Sequence, residues 1–165
     1  MNSHKNIVFL LLTCALWAAS FQAGAKVNEN LIEYRQKIMS SISSHLTAIK
    51  LIGKEHAKNK NSPLSKNLSD HAQVLNKLAK MAPELFIEKS FEPSKSKAKE
   101  NIWDVKTKKM TNKFQEEMKN FVAATDKVLK LSQENDGATA MTSLKTLGAS
   151  CKSCHTDYKA KKLVK

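Results

Sequence analysis

Apolar side chains recur every three or four positions along most of this chain, and only four glycines and three prolines interrupt its 165 residues. That spacing lines up apolar groups on one face of a helix, whereas a half-buried strand would alternate by two. A first helix is predicted over residues 29–52, with Ile32, Met39, Ile42, Leu46 and Ile49 as its stripe. Asn30 and Glu33 resemble a capping box there, and Gly53 reads as the C-terminal stop. After a polar stretch, Ser62-Pro63 opens a second helix carrying Leu64, Leu68, His71, Leu75, Leu78 and Ala82, which Pro83 ends. Residues 83–95 read as an irregular connection. A third helix is predicted over 96–132, through Trp103, Met110, Phe114, Met118, Phe121, Val128 and Leu131. Beyond an Asn135-Asp136-Gly137 turn, a fourth over 138–160 puts Met141, Leu144, Gly148, Cys151, His155 and Tyr158 on one face. Gly148 is expected to admit a flat group or a neighbouring helix at close range. No strand pattern occurs, so the expected fold is all-α, an antiparallel four-helix bundle.

The first 25 residues read as a signal peptide. Lys5 supplies a positive start, Ile7 to Ala19 is an apolar run, and Ala23-Gly24-Ala25 is a small-residue cleavage site. The run is short for a membrane span of ~20 residues, so an uncleaved anchor is the weaker alternative. Cleavage after Ala25 leaves residues 26–165 as one domain and discards Cys14. Of the chain's three cysteines, the mature protein then keeps Cys151 and Cys154.

Those two stand in Cys151-Lys152-Ser153-Cys154-His155, the C-x-x-C-H arrangement of c-type haem attachment. Each sulfur adds to one vinyl group on the porphyrin edge, and the histidine that follows is held close to the iron as an axial ligand. A dithiol redox pair would sit in a βαβ setting, and a zinc site would need a second ligand pair; the chain offers neither. The cofactor expected is one covalently bound haem c with its iron.

Formal charge is +13, and loss of Lys5 with the signal peptide leaves +12. Two haem propionates would bring this to about +10, a surface that favours acidic partner proteins and speeds encounter with them. Nucleic acid is not expected, because the lysines are spread along every segment without interleaved aromatic platforms. No nucleophile–base pair accompanies the haem motif, so turnover as an enzyme is not expected either.

The chain resembles class II c-type cytochromes, the family of cytochrome c′ and its low-spin relatives. The likeness rests on Gly148-Ala149-Ser150-Cys151-Lys152-Ser153-Cys154-His155, followed by Asp157-Tyr158 and a lysine-rich end. It is supported by Tyr34-Arg35-Gln36-Lys37-Ile38-Met39 and by Ile102-Trp103. The resemblance implies a haem-binding four-helix bundle in the periplasm of a Gram-negative bacterium, with no stable membrane insertion after signal cleavage and a possible homodimer through the first two helices.

In the low-spin relatives a methionine at the position of Met39 is the sixth iron ligand, which implies a periplasmic electron carrier with His155/Met39 ligation. In the cytochrome c′ branch that position usually holds a bulky residue that blocks the site without binding, so Met39 is either a ligand or a core residue. The alternative function is a five-coordinate protein that binds nitric oxide or carbon monoxide at an open sixth site. His71, on the second stripe, is the rival ligand for a bis-histidine iron, whereas His45 is rotated away from the face of Met39 and His56 reads as loop. By the same resemblance Arg35 lies near the distal haem face, where it pairs with a propionate or influences ligand access; otherwise it is a solvated helix arginine. Tyr34 and Trp103 are expected to pack against the bundle and the haem edge.

Overall fold

A computed structural model describes residues 28–134 and 137–161, so the expected signal peptide, the Asn135-Asp136 turn and the last four residues lie outside the described part. Four α-helices form the bundle: α1 Glu29–Lys58, α2 Leu68–Met81, α3 Asn112–Gln133 and α4 Gly137–Tyr158. Neighbouring helices run in opposite directions. Lys113 meets Asp157 while Glu117 meets Ser153 across α3 and α4, and His45 meets His71 while His56 meets Ser65 at the α1–α2 seam. Among the described residues no strand occurs, only isolated bridges at Ala98–Lys159 and Trp103–Met110.

Each stripe closes on a common core. Ile49, Leu75, Phe114, Val128 and Leu147, drawn from all four helices, are 0–1% exposed. At roughly 25 cal/mol per Å² of apolar area, each such side chain contributes about 1.5–3 kcal/mol. Polar groups lie inside as well, Asn76 and Thr125 among them. Asn76 of α2 donates through Nδ2 to Thr125 Oγ1 at 3.1 Å and to Asp126 Oδ1 at 2.8 Å, a bond that joins α2 to α3.

Helix boundaries differ from the sequence expectations at three places. α1 does not stop at Gly53 but runs to Lys58, where the Asn59 N–H bonds Glu55 O at 2.8 Å. Gly53 is buried inside the helix, and a Cβ built on it would overlap the Met141 side chain of α4, so the glycine leaves room for that thioether. Gly148, expected to play that part, has open space where a Cβ would lie. Ser62-Pro63 opens a 3₁₀ turn, Pro63–Asn67, and the α-helix begins only at Leu68.

The largest difference is in the third helix, which starts at Asn112 rather than residue 96. Thr111 caps it, its hydroxyl accepting the Phe114 N–H. The long connection before it holds 3₁₀ turns at Ala82–Phe86 and Glu100–Ile102 and then a tight hairpin. Asp104 Oδ1 accepts the N–H groups of Lys106 and Thr107 at 3.0 and 2.7 Å, Lys108 turns the chain at φ 59°, and Trp103 is bridged to Met110. A short acidic side chain that captures its own downstream N–H groups competes directly with helix formation.

Candidate functional site

α1 and α4 touch far less than the other adjacent helices do. The space between them is a cavity of about 410 Å³, within the range of about 300–1,000 Å³ typical of cofactor pockets. α1 contributes Arg35, Met39, Ile42 and Leu46 to its walls; α3 contributes Phe114, Met118 and Phe121. On the α4 side stand Ser150, Cys151, Cys154, His155 and Tyr158. The structure therefore brings together Cys151, Cys154, His155, Met39 and Arg35, which are far apart in the chain.

The spacing of the motif on a helix explains why both sulfurs face inward, since residues three apart lie on one side of a turn. Both thiols are free and half-buried. Burial raises the pKa of each, and that of Cys154 reaches about 11, with the Glu117 carboxylate as the next contribution. His155 reaches the cavity from the exposed end of α4; burial and then the Lys159 ammonium lower its pKa. A neutral imidazole is the form that binds a metal ion. Ser150 Oγ, at the same wall, is buried without a hydrogen-bond partner.

These residues fit a haem. The lining surface is mostly apolar, two thiols stand at one wall beside an imidazole, and Gln36, Lys97 and Lys159 offer cationic or amide donors suited to carboxylates. Lys97 and Ala98 reach the cavity because their segment pairs with the chain just past α4. Lys99 N–H bonds Tyr158 O at 2.8 Å, and Ala160 N–H bonds Lys97 O at 2.9 Å. No feature of residues 97–98 predicts this, since the pairing is formed with residues some 60 positions away. Met118, a second thioether on the cavity wall, was legible only as a member of the α3 stripe.

Arg35 is no solvated helix arginine: it is 3% exposed. Its Nη1 donates to Ser90 Oγ at 2.8 Å and Leu85 O at 3.3 Å, and its Nη2 to Ser90 O at 2.8 Å and Ser96 Oγ at 3.4 Å. The guanidinium also stacks on Phe86 and Trp103, 4.9 and 5.5 Å from their ring centroids. Burial brings its pKa down to about 10, which still leaves it charged at neutral pH.

Trp103, 2% exposed, stands behind Phe86 rather than on the cavity wall and donates through Nε1 to Phe86 O at 2.7 Å. Tyr34 is 47% exposed and does not line the cavity. His71 does not face the cavity; its Nδ1 lies 3.0 Å from Nδ1 of His45. His56 belongs to α1 rather than to a loop and contacts Ser65 Oγ at 3.0 Å. Among the described residues no group of three or more metal-binding side chains occurs, and no helix is long and apolar enough to cross a membrane.

A family model described as "Cytochrome C'" matches residues 30–159. A cytochrome c' of Rhodospirillum rubrum is 28% identical over 130 residues, covering 78% of this chain and 81% of that one. One from Pararhodospirillum photometricum is 23% identical over 131 residues, covering 79% and 97%. Ferric cytochrome c prime from Alcaligenes xylosoxidans shares the fold, with a TM-score of 0.68 at 21% identity, covering 81% of this chain and 96% of that one. A ferrous variant of the same protein with bound NO has a TM-score of 0.67 at 22% identity and the same coverage. With a family match across nearly the whole bundle and a cavity lined by both thiols and the imidazole, the chain belongs to the cytochrome c′ family and carries its covalently attached haem c with iron.

Proposed function

We propose that this protein is a periplasmic haem protein that binds nitric oxide or carbon monoxide at an open sixth iron position. Cys151 and Cys154 carry the two thioethers, and His155 is the single protein ligand to iron. The haem supplies one iron that changes oxidation state by one electron and accepts a small gas as ligand. The α1 wall carries the reading: Met39, Ile42 and Leu46 present hydrocarbon and one thioether, and the histidine pair on α1 and α2 is engaged with itself outside the cavity. Apart from Met39 that wall offers no side chain that ordinarily ligates haem iron, and its apolar stretch suits a small neutral molecule. The matching family model and curated relatives bear the name cytochrome c′, which supports the same reading.

The half-buried position of Met39 on the same wall supports a second reading, a His155/Met39-ligated electron carrier. Absorption spectroscopy separates the two. An open site gives high-spin ferric and ferrous spectra and rapid carbon monoxide uptake by the reduced protein, unchanged by Met39→Leu. A low-spin spectrum with a methionine–iron charge-transfer band that Met39→Leu abolishes overturns the gas reading. In either case the formal charge of +12 left after loss of Lys5 suits acidic redox partners, and the signal-like residues 1–25 suit export to the periplasm. A homodimer is proposed on family resemblance alone and is read by sedimentation.

A further inference from the structure

A buried cation ordinarily has an anion beside it, because desolvating an unpaired charge is costly. Arg35 departs from that rule. All its hydrogen-bond acceptors are neutral, two carbonyls and two hydroxyls, and no ion pair among the described residues includes it. Every one of these acceptors lies in the connection between α2 and α3, as do the two rings that flank the guanidinium. That connection supplies Phe86, Lys97, Ala98 and Ile102 to the cavity, and Arg35 itself lines it. A latch alone needs no charge. What a charge adds at this place is a positive field beside the cavity that holds the iron: no protein carboxylate pairs with it, and both terminal nitrogens already donate to the connection rather than to a haem carboxylate.

We infer that Arg35 is a positioning residue with an electrostatic effect on the haem: its buried guanidinium raises the reduction potential of the iron while tying the cavity wall to α1. Ferric haem carries one more positive charge than ferrous haem, so a fixed cation nearby disfavours the ferric state. One external electron converts ferric to ferrous iron, and no other bond or proton is needed for the effect. A unit charge at about 10 Å and an effective dielectric of about 20 changes a one-electron equilibrium about tenfold. The inference holds whether the sixth position is open or filled by Met39.

Spectroelectrochemical titration of the purified holoprotein tests it. Arg35→Met keeps length and apolar contact but removes the charge, and moves the ferric–ferrous equilibrium about tenfold toward ferric, or 59 mV for a one-electron couple. Arg35→Lys keeps the charge and recovers most of that shift. A potential within threefold of wild type in Arg35→Met, or one that rises, overturns the inference. Should Arg35→Met fail to accumulate as holoprotein, the double variant Ser90→Ala with Ser96→Ala decides. It weakens the latch but leaves the guanidinium in place, so its potential stays within threefold of wild type. A tenfold fall there assigns the potential to packing of the connection instead and overturns the charge effect.

Discussion

Nδ1 of His45 and Nδ1 of His71 lie 3.0 Å apart across the seam between α1 and α2, their ring centroids 5.1 Å apart. One ring must donate while the other accepts, so the contact requires that at least one of the two stay neutral. Burial, and then the charge of His71, lowers the pKa of His45.

For a base whose folded pKa lies below its unfolded value, the unfolded chain binds more protons in the window between them. The contribution of His45 is therefore fully present above about pH 6.5 and is lost as the pH falls through that value toward the folded one. Thermal unfolding followed from pH 7.5 down to pH 5 should show a steeper loss of Tm in wild type than in His45→Gln. Parallel profiles for the two proteins would remove the pair from the account.

Thioether formation at both cysteines makes a distinct forecast by mass. Expressed in a host competent in cytochrome maturation, the protein should carry the added mass of one haem that acid–acetone does not extract. Replacing both Cys151 and Cys154 by alanine should leave a polypeptide of unmodified mass. Retained covalent haem in that double variant would exclude the assigned attachment.

Two glycines in helices should respond in opposite ways. Gly148 has open space at its Cβ position and does not line the cavity, so Gly148→Ala should stabilise by about 0.5–1 kcal/mol through helix propensity, with the haem spectrum unchanged. Gly53 faces the Met141 thioether, and Gly53→Leu should cost about 1–3 kcal/mol through overpacking. Chemical denaturation of the two variants gives both signs.

Trp103 holds the connection from behind the cavity through its bond to Phe86 O and its ring contact with Phe86, whose centroid lies 6.2 Å away. Trp103→Phe removes the donor and leaves a buried carbonyl unpaired, a loss of about 1–3 kcal/mol. Because Trp103 does not line the cavity, ligand binding by the reduced protein should be nearly unchanged while the denaturation midpoint falls. A normal midpoint would show that the indole bond is dispensable.

The apolar spacing of Ile32, Ile42 and Ile49, and of Phe114, Phe121 and Val128, is legible as helix because both periodicity and burial agree there. Between residues 96 and 111 periodicity misleads. Trp103 and Met110 stand seven apart, two helical turns, yet they come together by folding back around the turn that Asp104 and Lys108 make. A hairpin with an even loop and a helix of two turns can present the same pair of apolar positions, and only the competing Asp104 side-chain bonds decide between them.

The five residues from Cys151 to His155 determine the haem chemistry by themselves, since thioether formation and the adjoining imidazole depend on covalent neighbours three and four positions apart. Which side chains face that haem from α1 and from the connection is another matter. Arg35 sits at a spacing that suits solvent as well as core, and its partners lie 50 to 61 residues downstream. Only the packed bundle brings those acceptors to the guanidinium, because burial depends on contacts between distant segments, which no local pattern encodes.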